Sequence, residues 1–86
     1  MAQVNGRKFD VDASKFQSWA VFEYIGAIND ESKTPYERTS AMFGVVETCT
    51  DLTKADVIEM AGGADADVKA VFDVLAAIIA EAAPKN

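Results

Sequence analysis

A chain of 86 residues, 50% apolar and 26% charged, fits one globular domain with a single core that buries roughly 60–70% of the unfolded surface. The net charge is −6, histidine is absent, and the eight Lys and Arg are scattered from Arg7 to Lys85, which leaves no basic stripe to neutralise nucleic-acid phosphates. The single cysteine, Cys49, excludes an internal disulfide and a structural zinc site, which needs three or four Cys or His ligands, and suits a reducing compartment.

The opening segment, Gln3 to Val11, contains Asn5-Gly6, a two-residue turn signal that supplies positive φ at both central positions. Phe9 and Val11 alternate with charged neighbours, as in a half-buried strand. A short hairpin over 3–11 is expected, and it must pack on helices or pair with another chain to persist. Met1–Asp12 is polar and does not read as a secretory signal. No apolar run approaches the ~20 residues of a membrane span, so a cytoplasmic protein is expected.

Ser14 with Gln17 forms a capping-box pattern, with Asp12 as a competing cap, and a first helix is expected to run to about Ile28. Asn29 to Lys33 is a polar loop. Thr34-Pro35-Tyr36-Glu37 is the cleanest local signal: Thr34 caps, Pro35 sits at the first helical position, and Glu37 closes the box. This second helix should reach about Thr48. Thr53 caps a short third helix that Gly62-Gly63 ends. A fourth helix starts near Asp65 and runs to about Ala83, stopped by Pro84. The reading is mainly α: a compact bundle of about four helices over 14–83, an N-terminal β-hairpin, and a tail over 84–86.

In the fourth helix Val68, Val71, Phe72, Leu75, Ile78, Ile79 and Ala82 follow a 3,4 spacing that predicts the central core stripe. Val74 lies outside it and marks a weaker second packing surface. The second helix gathers Tyr36, Thr39, Met42, Phe43, Val46 and Cys49 on one side, which makes Cys49 a buried structural thiol. The first helix is the anomaly. Phe16, Trp19 and Ala20 fall on one side, Val21, Ile25 and Ile28 nearly opposite, with Phe22 and Tyr24 between. A helix apolar all round needs cover on both sides. Either the hairpin packs over Phe16 and Trp19, or one side meets a partner or a second copy. The candidate partner-binding residues are Phe16, Trp19, Phe22 and Val74.

Catalytic chemistry is not indicated. The carboxylate pairs Asp10/Asp12 and Asp65/Asp67 sit at a strand end and a helix start, where carboxylates are ordinary. Asp65-Ala66-Asp67 lacks the further ligands of a calcium loop. Gly62-Gly63 has no following Lys-Ser/Thr to make a phosphate loop. The Asp-Ser-Leu that opens the second helix of acyl carrier proteins is absent, and Thr34-Pro35-Tyr36 stands there. No catalytic, cofactor-binding or metal-binding residue is assigned, and neither nucleic acid nor membrane is expected as a partner.

The opening Val4-Asn5-Gly6-Arg7-Lys8-Phe9-Asp10-Val11-Asp12, the aromatic helix Trp19-Ala20-Val21-Phe22-Glu23-Tyr24-Ile25 and the closing Lys85-Asn86 resemble the small tail assembly chaperones of long-tailed bacteriophages and prophages. The resemblance spans nearly the whole chain and rests on pattern, without a chemical signature. It implies a cytoplasmic protein that binds the helical tape-measure protein while tail-tube subunits polymerise around it, with helix-in-groove contact as the physical mode. It also implies a longer form made by ribosomal slippage, for which a run such as CCA-AAA-AAC over Pro84-Lys85-Asn86 would serve. Similar openings occur in other phage structural proteins, so a tail or connector subunit is the alternative, which a stable ring in isolation would favour; a second copy on one side of the first helix would make the chain a homo-oligomer. A small acidic regulatory or inhibitor module is the third reading.

Overall fold

The structure, a computed structural model, describes residues 1–84. Lys85 and Asn86, most of the expected tail and of the expected slippage site, lie outside the described residues. Strands β1 (Ala2–Val4) and β2 (Arg7–Phe9) precede helices α1 (Trp19–Ile28), α2 (Pro35–Cys49), α3 (Lys54–Met60) and α4 (Val68–Ala82). The fold is mainly helical with a short N-terminal hairpin, as the sequence predicts. Its smallest dimension is 20 Å, room for two helices of about 10 Å diameter, so the body is two layers deep.

Asn5 and Gly6 both adopt positive φ, 51° and 81°, the geometry a tight hairpin turn requires. The strands pair Ala2 with Phe9, Gln3 with Lys8 and Val4 with Arg7. One face carries Val4 and Phe9 into the core. The hairpin is shorter than expected. Val11 does not extend β2; it forms an isolated antiparallel bridge with Thr50. The Asp12 N–H donates to the Cys49 carbonyl at 2.8 Å, and the Asp51 carboxylate accepts the Asp10 N–H at 3.0 Å. The chain leaving the hairpin is thus tied to the end of α2.

The first helix divides in two. Ala13–Gln17 is a 3-10 turn capped by Asp12, whose carboxylate accepts from the Ser14 N–H and hydroxyl; the expected Ser14–Gln17 box does not form. Ser18 is extended, with ψ 156°, and its hydroxyl accepts the Val21 N–H at 3.3 Å, making it the cap of α1. A serine hydroxyl in competition with the helical ladder favours such a cap over continuation.

The Thr34 box is complete. The Thr34 hydroxyl accepts the Glu37 N–H at 3.1 Å and the Glu37 carboxylate accepts the Thr34 N–H at 3.0 Å, with Pro35 in the first turn. Thr53 caps α3 in the same way, and Asp56 closes that box. Gly62 and Gly63, with φ 124° and 66°, end the run after α3. Asp67, not Asp65, caps α4, accepting the Ala70 N–H at 2.8 Å. Ala83 is extended ahead of Pro84, as the proline ring demands of the residue before it.

Helix α2, not α4, is the central element. Met42 and Val46 join Val4, Phe9, Val57, Leu75 and Ile78 in one cluster, while Val45 and Cys49 join Val21 and Ala82 in another. Cys49 is fully buried, and burial pushes its thiol pKa up, with the Asp12 charge adding to the effect. Arg38 Nε donates to the Ile28 carbonyl at 2.8 Å, tying the end of α1 to the start of α2. The Tyr24 ring lies over Gly44, where a Cβ would sit 2.5 Å from ring carbons. Glycine there lets α1 approach α2 with the ring between them.

Two predictions follow from these contacts. Gly44→Ala should cost about 1–3 kcal/mol by overpacking. In a Tyr24→Ala background the same change should be neutral or stabilising by up to ~1 kcal/mol, because helix propensity then decides; urea unfolding of the four proteins measures both. Hydrogen bonds from Ser14, Ser32, Thr34 and Thr53 hold the carboxyls of Asp12, Asp30, Glu37 and Asp56 below the ordinary 3.8 of Asp and 4.5 of Glu. A lowered folded pKa favours the folded state above the ordinary value, and that contribution is lost as pH falls through the folded pKa. The urea midpoint should hold from pH 7 to about 5 and fall below about pH 4. A midpoint that rises on acidification would contradict this.

Candidate partner-binding surface

The structure separates the four residues that the sequence singles out. Trp19 is 70% exposed and Phe22 65% exposed, and their ring centroids lie 5.2 Å apart at an interplanar angle of 39°. They form one aromatic ridge on the side of α1 away from Val21, the fully buried residue of that helix. Phe16 is not part of it. The break at Ser18 takes Phe16 off the helix, and it packs half-buried against the Val21–Val45–Cys49 cluster. Phe22, expected between two faces, joins Trp19 instead.

Val74, expected on a weaker second packing surface and named as a partner contact, packs inside the protein. It is 4% exposed and belongs to the core, whereas Val68 and Phe72, expected in the core stripe, are 77% and 47% exposed. At ~100° per residue the buried arc of α4 is turned by roughly 45° from the expected one. The cause is tertiary: α4 must face the hairpin, α2 and α3 together, and Val74 meets that combined surface while the first turn of α4 runs past it. Tyr36, expected on the packed side of α2, is likewise 77% exposed.

These displaced residues make a second apolar surface between the first halves of α2 and α4. Two adjoining hollows of about 590 and 400 Å³ open there and share Pro35, Thr39 and Val68. Met42 and Phe72 line the larger, and Tyr36, Phe43 and Val71 the smaller. Sequence reasoning missed this groove because hydrophobic periodicity cannot distinguish a helix's packed turns from a first turn that overhangs its neighbours. The available signal was cap position: Tyr36 and Val68 each stand within two residues of a cap.

The hairpin does not cover Trp19. It packs on α4, which removes the intramolecular explanation for the aromatic side of α1. Gly26 lies one turn beyond Phe22, and a Cβ built there meets nothing within 4 Å, so the flank of the ridge is open. One carboxylate of each pair has a capping role: Asp12 caps the 3-10 turn and Asp67 caps α4. Among the described residues no three His, Cys, Asp or Glu side chains gather as a metal site would need. No helix of the described residues is long and apolar enough to cross a membrane. Comparison with protein-family models, curated proteins and solved structures finds no match to the chain.

The two classes of apolar residue should respond differently to truncation. Trp19→Ala and Phe22→Ala should each change stability by less than about 1 kcal/mol, since each loses little more than the contact between the two rings. Val74→Ala should cost about 2 kcal/mol by leaving a cavity. Thermal unfolding decides, and equal costs at all three positions would contradict the assignment of the ridge to the surface.

Proposed function

We propose that this protein is a non-catalytic binding protein that shelters a helical segment of a client, as a tail assembly chaperone of a long-tailed phage or prophage shelters the tape-measure protein in the host cytoplasm. The observation that carries the reading is the exposed Trp19–Phe22 ridge. Trp and Phe are large anchors with few rotamers to freeze, and tryptophan above all is enriched among residues that dominate binding energy. The resemblance of Val4–Asp12 and Trp19–Ile25 to the chaperone family supplies the class of client.

Magnitude bounds the mode of binding. Covering the exposed parts of both rings removes on the order of 250 Å² from water, about 6 kcal/mol gross at ~25 cal/mol per Å². Association costs about 4–15 kcal/mol in lost freedom. The ridge alone therefore gives a weak, reversible contact, and a stable complex requires the client to cover further surface. Weak capture suits a protein that must release its client as assembly proceeds. The net charge of −6 keeps the complex soluble while apolar helices are exposed.

Co-expression with a candidate tape-measure protein tests the proposal. The wild-type chain should raise the soluble fraction of the client severalfold, and the double variant Trp19→Ala/Phe22→Ala, still folded by circular dichroism, should lose most of that effect. Client solubility that the wild-type chain leaves unchanged would overturn the reading.

A further inference from the structure

The α2–α4 groove shares no residue with the Trp19–Phe22 ridge, and its charges differ from those of the chain as a whole. Over the full sequence 14 carboxylates outnumber eight cations. Around the two hollows Arg38, Lys69 and Lys54 stand against the single carboxylate of Asp67. That carboxylate is engaged, accepting the Ala70 N–H as the cap of α4. Lys54 is held on the groove wall, its Nζ 5.3 Å from the centroid of the Phe43 ring. Lys69 pairs with Asp73 at 2.7 Å, but both side chains are more than half exposed, so the pair is weak and open to exchange. Arg38 is oriented by its bond to the Ile28 carbonyl. An apolar floor thus has a cationic rim on an otherwise acidic protein.

We propose that this groove is a second docking site, and that its occupant is an amphipathic helix whose apolar stripe is flanked by carboxylates. The walls are two helices with their apolar side chains exposed, the setting of helix-in-groove recognition. The two hollows share Pro35, Thr39 and Val68 and so adjoin, which offers successive side chains of one face of an incoming helix a place to insert. The rim sets the flanking charge. Two electrostatic effects compete: the net charge of −6 favours a basic partner at long range, and the rim favours an acidic one at contact. At physiological ionic strength the screening length is about 8 Å, so only charges near the groove count at contact, and there Arg38, Lys54 and Lys69 outnumber the Asp67 carboxylate and the Asp73 carboxylate paired with Lys69.

The inference rests on the reading of the protein as a binder of helices, and the experiment separates the two. Three synthetic helical peptides share one apolar stripe and carry Glu, Gln or Lys at the flanking positions. Titration into the isotope-labelled protein, followed by amide NMR, should shift resonances of 35–43, 54 and 66–72 and leave those of 19–23 unmoved. The Glu peptide should bind about 5-fold more tightly than the Gln peptide at low salt, with the difference lost near ~0.5 M. Tyr36→Ser/Val68→Ser, exposed positions whose change leaves the core intact, should abolish the shifts. Lys54→Glu/Lys69→Glu should reverse the preference toward the Lys peptide. Equal affinity for all three peptides, tightest binding of the Lys peptide to the wild-type protein, or no shift with any of them would overturn the proposal. Concentration-dependent self-association abolished by Tyr36→Ser/Val68→Ser would also overturn it, by making a second copy the occupant. Client rescue that survives Tyr36→Ser/Val68→Ser but fails with Trp19→Ala/Phe22→Ala would remove this site and leave the client reading standing.

Discussion

Helix α2 packs on two sides at once. Val45 and Cys49 meet the Val21 cluster of α1, and Met42 and Val46 meet the cluster shared by the hairpin, α3 and α4. Most other features follow from that position. Because α1 turns Val21, Ile25 and Ile28 toward α2, its opposite side is left exposed among the described residues. Trp19 and Phe22 remain outside. Because α4 meets α2 along its middle and end, its first turn overhangs, and Val68 and Phe72 face solvent beside Tyr36. Both exposed apolar surfaces are consequences of one helix having two neighbours in a body only two layers deep.

What the sequence discloses divides along the range of the interaction. The Asn5-Gly6 turn, the Thr34–Glu37 box, the Thr53 cap and the stop at Pro84 are settled within four residues, and each stands in the structure where the local chemistry puts it. The errors concern residues whose partners are distant. Val11 pairs with Thr50 across about forty positions of chain, and no local pattern names that partner. Ser18 breaks a run that reads as continuous helix, and Phe16 consequently turns inward. Val74, outside the expected core stripe, is buried for a related reason. Periodicity measures how apolar a face is, whereas burial depends on what stands opposite, and Phe72 outweighs Val74 only in the first quantity. The aromatic side of α1 shows both halves of this rule: its excess is legible in the sequence, while only the fold shows that the hairpin packs on α4 and leaves Trp19 exposed.

The acidity of the chain also looks different once carboxylates are assigned to their partners. Asp12, Glu37, Asp56 and Asp67 each accept a backbone N–H at the start of a helix or 3-10 turn, and Asp30 does the same for Ser32 in the loop after α1. Negative charge at a helix N-terminus is favoured by the unpaired N–H groups and the helix dipole. Much of the net charge therefore serves the fold, through local bonds that define where helices begin.

Exposed aromatic rings on a small protein invite indiscriminate association, and a strong net charge opposes it. The placement of the two matters as much as their amounts. Glu23 is exposed on the same helix as Trp19 and Phe22, so any second molecule that approaches the ridge also approaches a carboxylate on a body of charge −6. Like net charges of −6 oppose the approach of two copies within the screening length. On the proposed reading, a client that brings a neutral or basic helix does not meet that barrier at the ridge, whereas at the groove the local charges are those of Arg38, Lys54 and Lys69. The two exposed apolar surfaces thus differ in their electrostatic surroundings, and the difference arises from where a few cations stand and not from how many there are.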